Sequence, residues 1–232
     1  MRSADLPEVR SIHLFQAMEE ETFDSIVKAA YFQTFPDHVV LIEEGDPADF
    51  LYVVVEGCVE LYASANGRET TMAMVSPVGT FILAAVLKDA VHLMSARTSQ
   101  RSRILMIPSE DIRAAFVKDP AFAGAIIQEL ANCYRSVVKE HKNLKLRTGV
   151  ERLANRLLRY HNDQGCHGFL LLPHDKRTLA SLLGMAPENL SRAFNTLKPY
   201  GVTVDGAKVH LGDISALEAL AKPSQLIDAR SV

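Results

Sequence analysis

The sequence predicts an α+β chain in three parts: a set of short strands, one long helix, and a winged helix-turn-helix. Three observations predict it. Gly45, Gly57, Gly67 and Gly79 punctuate short apolar runs at intervals of 12, 10 and 12 residues, the rhythm of antiparallel strands and turns. Residues 120–146 repeat apolar positions in heptads. Residues 176–213 give two short helical patterns and then a strand pair.

Composition allows this and excludes other classes. The 232 residues suffice for two ordinary domains, and 48% apolar with 23% charged residues is the balance of a globular protein. No apolar run approaches the ~20 residues that span a bilayer, and the start, MRSADLPEVRSIHLF, has acids and a proline where a signal peptide has its apolar core. The expectation is a cytoplasmic protein without a membrane partner. Cys58, Cys133 and Cys166 are scattered without CxxC spacing, so neither zinc nor a four-thiolate iron–sulfur cluster has a ligand set. No G-x-S-x-G, Walker or H-E-x-x-H motif points to an enzyme. The net charge of −3 conceals a split. Residues 1–146 hold 14 Lys and Arg against 20 Asp and Glu, whereas residues 147–232 hold 11 against 8. Phosphate contacts need local rather than overall positive charge.

Residues 11–34 read as short helices with Phe15, Met18, Phe23, Ile26 and Val27 inward. From Val39 to about Met106 the period shortens, through VVLIEEG, FLYVVVEG, CVELYAS, TTMAMVSPVG and SRILMIP, with Asn66-Gly67 as a hairpin turn. Cys58 reads as a small core residue. Residues 120–146 then place Ile127, Leu130, Tyr134, Val137, His141 and Leu144 at steps of 3, 4, 3, 4 and 3. So narrow a seam is best buried against a copy of itself, which predicts a parallel homodimer with His141 tuning its register. The alternative is an ordinary amphipathic helix. Lys145 to Gly149 is the expected hinge, and Thr148 to Tyr160 a further helix with Arg152, Arg156 and Arg159 outward. The domains are thus 1–119, 120–146 and 147–232.

In KRTLASLLGMAPENLSRAFNTLKPYG, Gly184 stops one helix and Pro187 begins the next. Leu190, Phe194 and Leu197 face inward, leaving Glu188, Asn189, Ser191, Arg192 and Asn195 outward. The next residues, VTVDGAKVHLGD, form a wing, with Asp205-Gly206 expected as a type I′ turn. A polar face on the second helix can reach base edges in a major groove. Arg can donate twice to guanine, Glu can accept from cytosine, and Ser is adaptable, so Glu188, Ser191 and Arg192 are the base-reading candidates. Lys176, Arg177, Lys208 and His210 suit phosphate; as the alternative, each is a solvated surface residue.

EEGDPADFLYVVVEGCVELY resembles the β-roll of cyclic-nucleotide-binding domains. With the long helix and the winged end in that order, nearly the whole chain is similar to the Crp/Fnr family of bacterial transcription regulators. PENLSRAF with its GV-V-G wing looks closest to the nitric-oxide-responsive (NnrR/DNR-like) branch. The resemblance implies a homodimer on double-stranded DNA, with RNA polymerase as a further partner. Glu188-Asn189-Leu190-Ser191-Arg192 matches the Fnr-branch Glu-x-x-Ser-Arg pattern, which implies an inverted repeat with TTGAT and ATCAA arms. Family members that bind cyclic nucleotides hold the phosphate with a Gly-Glu and an Arg-Ser pair. Here Thr80 follows Gly79, and Ala90-Val91 stand near the Arg-Ser place, so the resemblance implies no cyclic nucleotide. It implies no Fnr-type cluster either, because no cysteine precedes Cys58. An apolar effector pocket is expected instead, from Phe81, Ile82, Leu83, Val86, Leu87, Leu93 and Met94 with His92 beside them. Such a pocket suits haem and nitric oxide sensing in denitrification control, with His13 and His92 as the candidate haem ligands. The competing reading is an effector-binding module that acts on a partner protein without DNA.

Overall fold

The structure, a computed structural model, describes residues 5–165 and 167–229. Cys166 lies outside them. The described residues fall into two compact units that divide within the long helix after Asn132. Among them, no helix is long and apolar enough to cross a membrane.

The first unit opens with helices α1 (Leu6–Ser11), α2 (His13–Gln16) and α3 (Glu20–Ala29). Strands β1 (Tyr31–Phe35), β2 (Val40–Ile42), β3 (Phe50–Glu56), β4 (Val59–Ala65), β5 (Arg68–Val75) and β6 (Gly79–Phe81) follow, then α4 (Leu83–Lys88), β7 (Ser95–Thr98), β8 (Ser102–Pro108) and α5 (Ser109–Lys118). The strands make two antiparallel four-stranded sheets, ordered β1-β8-β3-β6 and β2-β7-β4-β5. The expected helical stretch therefore ends at Ala29. Residues 31–35 are a strand because Tyr31 to Phe35 complete the ladder on β8, from Tyr31 opposite Met106 to Phe35 opposite Ser102.

Strand β3 shows why FLYVVVE is apolar almost throughout. Successive side chains point to opposite faces, and both faces of this sheet are covered. Leu51, Val53 and Val55 join Leu105 and Ile107 in a core with α1–α5 and residues Phe122 and Ile126. Tyr52 and Val54 join Val59, Leu61, Ala96 and Ile104 in the core between the sheets. The Asn66-Gly67 turn is as read: both residues have positive φ, 53° and 71°, as a type I′ turn requires. Gly57 is required for space as well as for its φ of 90°, since a Cβ there would collide with Ser102 Oγ and lie 2.6 Å from the Arg101 carbonyl oxygen.

Helix α6 (Pro120–Leu146) enters the second unit. That unit continues with α7 (Gly149–Asp163), β9 (Phe169–Leu171), α8 (Lys176–Leu182), α9 (Pro187–Leu197), a 3-10 turn (Lys198–Tyr200), β10 (Val202–Asp205), β11 (Lys208–Leu211), α10 (Ile214–Ala221) and α11 (Gln225–Asp228). Its core is formed by Leu153, Leu157, Leu170, Leu179, Leu183, Leu190, Leu197, Val209 and Leu217 with their neighbours. Three expectations need correction. The wing is a three-stranded sheet, β10-β11-β9, because Phe169–Leu171 pairs with β11. Its turn is Gly206-Ala207, between the paired Asp205 and Lys208. Of these residues only Gly206 has positive φ, 60°, so the turn is of the Gly-x kind and not type I′. The expected five-residue hinge shrinks to Arg147 and Thr148, since α6 runs to Leu146 and α7 begins at Gly149.

Candidate nucleic-acid interface and sensor residues

Asp175 caps α8 by accepting the Thr178 amide at 2.7 Å, and Lys176 and Arg177 project from that first turn, exposed. Leu183 closes the helix, and Gly184 turns the chain at φ 60°. The left-handed φ is what favours glycine here, and a Cβ would in addition lie 2.8 Å from Leu144 Cδ2, so that side chain would have to shift. Pro187 starts α9 at a position where its missing N–H costs no helical bond.

Leu190, Ala193, Phe194 and Leu197 are buried under α9, as the spacing requires. Glu188, Asn189, Ser191, Arg192 and Asn195 are all exposed on its other side. Ser191 Oγ donates back to Pro187 O at 3.2 Å, which leaves its oxygen free to accept. Among the described residues neither Glu188 nor Arg192 forms an ion pair, although they stand four apart on one helix. This leaves an uncommitted acceptor in the first turn and an uncommitted five-donor fork one turn further on, along the same face.

The wing adds a contact that sequence spacing does not reveal. Lys208 is half-buried, its Nζ 4.1 Å from the centre of the Phe169 ring, and His210 lies opposite Phe169 with ring centres 6.1 Å apart. The Lys208 ammonium is thus held by a ring face on the neighbouring strand. Gln164 closes the free edge of β9, its side-chain amide accepting from Leu171 N and donating to Leu171 O, both at 2.8 Å.

Arg152, expected to face solvent, instead joins three chain segments. Its Nε donates to Leu183 O at 2.8 Å, and its Nη1 to Arg147 O at 2.7 Å and Leu144 O at 3.5 Å. One guanidinium therefore satisfies terminal carbonyls of both α6 and α8, groups that have no partner within their own helices. Arg156 is half-buried, near Tyr160 and 3.9 Å from Glu140, while Arg159 is exposed. Thr148 and Glu151 form a full capping box that starts α7.

The α6 seam is exposed over most of its length. Ile127 is 60%, Tyr134 70% and Val137 61% accessible; His141 and Leu144 are also exposed, and Leu130 rests partly on the first core. Free Cys133 is exposed beside it.

The sensor residues do not gather into one pocket. Leu83, Val86 and Leu87 contribute to the core under the helices, whereas Phe81 and Met94 belong to the core between the sheets. Ile82 touches both cores, and Leu93 points out at 79% exposure. Lining these two cores needs the same apolar residues as lining a cavity. A cleft of about 440 Å³ opens elsewhere, walled by Tyr31, Phe50, Asp49, Asp89, Glu110 and Arg113. His13 is exposed on α2. His92 is buried, its Nδ1 without a hydrogen-bond partner; burial lowers its pKa against the opposing pull of Asp46 and Asp49. The two imidazoles share no cavity wall with that cleft, and among the described residues no three His, Cys, Asp or Glu side chains are grouped to hold a metal. His13, on α2, and His92 thus stand apart from that cleft. The spacing also gave no sign of Glu129, whose carboxylate accepts from Thr80 Oγ1 at 2.7 Å.

Comparison with known proteins agrees with this two-part organisation. Residues 32–119 match the cyclic nucleotide-binding domain, and residues 151–220 the Crp-like helix-turn-helix domain. The chain is 24% identical over 217 residues to a CRP-like cAMP-activated global transcriptional regulator of Mycobacterium tuberculosis, covering 90% of this chain and 96% of that protein. It is 27% identical over 212 residues to the cyclic AMP receptor protein of Thermus thermophilus, with the same coverage. A solved structure of a putative cAMP-binding regulatory protein from Silicibacter pomeroyi is 28% identical, with a TM-score of 0.59 over 96% of this chain and 100% of that one.

Proposed function

We propose that this chain, a Crp/Fnr family regulator with a cyclic-nucleotide-binding-type domain and a Crp-like helix-turn-helix, reads an inverted DNA repeat as a homodimer under the control of an effector. One observation supports the DNA reading above all: the unpaired Glu188–Ser191–Arg192 face of α9, with Lys176 and Arg177 beside it on α8. Arg192 would donate to guanine, Glu188 accept from cytosine, and Ser191 and Asn189 adapt to either neighbour. Lys176, Arg177 and Lys208 would take phosphates, which position the reader without specifying sequence. The exposed Ile127–Tyr134–Val137 stripe supports pairing through α6, and a two-fold pair places its reading helices about one turn, ~34 Å, apart. RNA polymerase is the partner expected of a bound regulator.

Fluorescence anisotropy on a TTGAT-N4-ATCAA duplex and a scrambled duplex tests this reading. Preference for the repeat, tied to a dimeric species, is expected. Equal affinity for both duplexes would sink it and favour a module that acts on a partner protein.

The relatives named above are described as cAMP-activated or cAMP-binding. In this chain a phosphodiester would meet no cation at Thr80, Ala90 or Val91 and would meet the Glu129 carboxylate beside Thr80, which disfavours an anion. We therefore infer an effector other than a cyclic nucleotide. The haem and nitric oxide reading draws support from the PENLSRAF resemblance and from the unpartnered Nδ1 of buried His92. It requires Leu83 and Phe81 to leave separate cores. A Soret band on titrating haem into the 232-residue chain, lost in His92→Ala, is the expected result; a featureless titration of the wild type excludes it.

A further inference from the structure

The connection from α6 to α7 is two residues, Arg147 and Thr148, and two residues bring four soft dihedrals. Something must fix them if α6 is to set where α9 lies. The Thr148–Glu151 capping box fixes one side. The other side is held from 81 residues away: Arg147 Nη1 and Nη2 donate to the two carboxylate oxygens of Asp228, at 2.7 and 2.6 Å. An exposed ion pair contributes little, but this one is bidentate, and the Arg147 side chain is only 7% exposed. Asp228 also accepts the Ser224 amide at 2.6 Å, and Arg147 Nη1 reaches Asn143 Oδ1 at 3.2 Å. Burial opposes the charge on Asp228, yet the bonds from Arg147 and Ser224 hold its carboxyl below the usual range. Directly after Asp228 in the chain, Ala229 accepts from Lys139 Nζ at 2.8 Å. The long side chains of Lys139, on α6, and Arg147, just past its end, thus converge on the adjacent Asp228 and Ala229, and this pair straps the end of segment 224–229 to the end of that helix.

The strap also connects to the reader. Asp228 holds the Arg147 side chain, the Arg147 carbonyl accepts from Arg152, and Arg152 donates to Leu183 O at the turn between α8 and α9. We propose that Arg147 and Asp228 are positioning residues for DNA recognition: the strap holds the angle between the end of α6 and the helix-turn-helix, and so selects the arm spacing that a dimer reads. This rests on the inverted-repeat reading above.

Asp228→Asn in the 232-residue chain keeps the shape of the side chain and removes its charge. Two measurements test the proposal: anisotropy on duplexes with three, four or five base pairs between the arms, and trypsin cleavage after Lys145 and Arg147. The expected result is a roughly tenfold loss of preference among spacings, the size of one charge-assisted contact, with binding to scrambled DNA unchanged and cleavage at the joint faster. The exchange Arg147→Asp with Asp228→Arg should restore the preference. Unchanged spacing preference and unchanged cleavage would overturn the proposal. So would a lowered unfolding midpoint with all duplexes weakened equally, because that marks a staple of the fold only. If the wild type shows no preference for the repeat, the inverted-repeat reading fails, and the cleavage rate alone decides whether the strap holds the joint.

Discussion

The two ends of the chain treat their predicted residues in opposite ways. In the winged unit, helical spacing predicts one outer face for Glu188, Ser191 and Arg192, and all three are exposed on α9. In the sheet unit, Phe81, Leu83, Leu87 and Met94 read as one apolar lining, and they are divided between two cores. The difference is one of range. A helix face is set by residues three and four apart, so its chemistry follows from local order. A cavity is set by what does not fill it, and that depends on partners tens of residues away.

The contrast can be broken most forcefully at the seam. Tyr134→Glu with Val137→Glu places charge on the exposed stripe, and sedimentation should show a monomer. Affinity for the full repeat should then fall by the avidity of two linked sites, on the order of 10²–10⁴, without loss of fold in circular dichroism. Arg192→Ala comes next, with an expected cost of about 1–3 kcal/mol on the repeat and relaxed preference at one base position. Lys208→Ala should weaken all duplexes alike and lessen the salt dependence by roughly 0.9 in slope. If Arg192 and Lys208 behaved identically, the division between reading and positioning contacts would fail.

The smallest effect belongs to the sheet unit. Burial holds the His92 pKa below its ordinary value, so below the unfolded pKa of about 6.5 the folded state binds fewer protons than the unfolded. Stability should therefore fall as pH drops below that value. His92→Leu should flatten the decline between pH 7.5 and 5.5 in urea denaturation. An equal slope in both proteins would show that His92 does not titrate with folding.

Much of the architecture is legible in local pattern. The Asn66-Gly67 turn follows from two residues that tolerate positive φ, and the start of α9 from Pro187. Other features were hidden because their partners are remote. Tyr31–Phe35 carries no helix-breaking residue before it and became a strand only through β8. Phe169–Leu171 is too short to announce itself and exists through β11 and the Gln164 side chain. Arg152 resembled any charged residue on a helix face until Leu183 and Arg147 offered it carbonyls.

By itself the sequence determined the α+β order, the heptad stripe and the polar outer face of α9, because each is written in periods of two, three and a half, or three to four residues. Only the tertiary structure decided that Leu83 and Phe81 belong to separate cores, that Lys208 rests on Phe169, and that Asp228 bonds to Arg147 in the two-residue joint after α6. Each of these depends on which distant segments share a neighbourhood, and no local period records that.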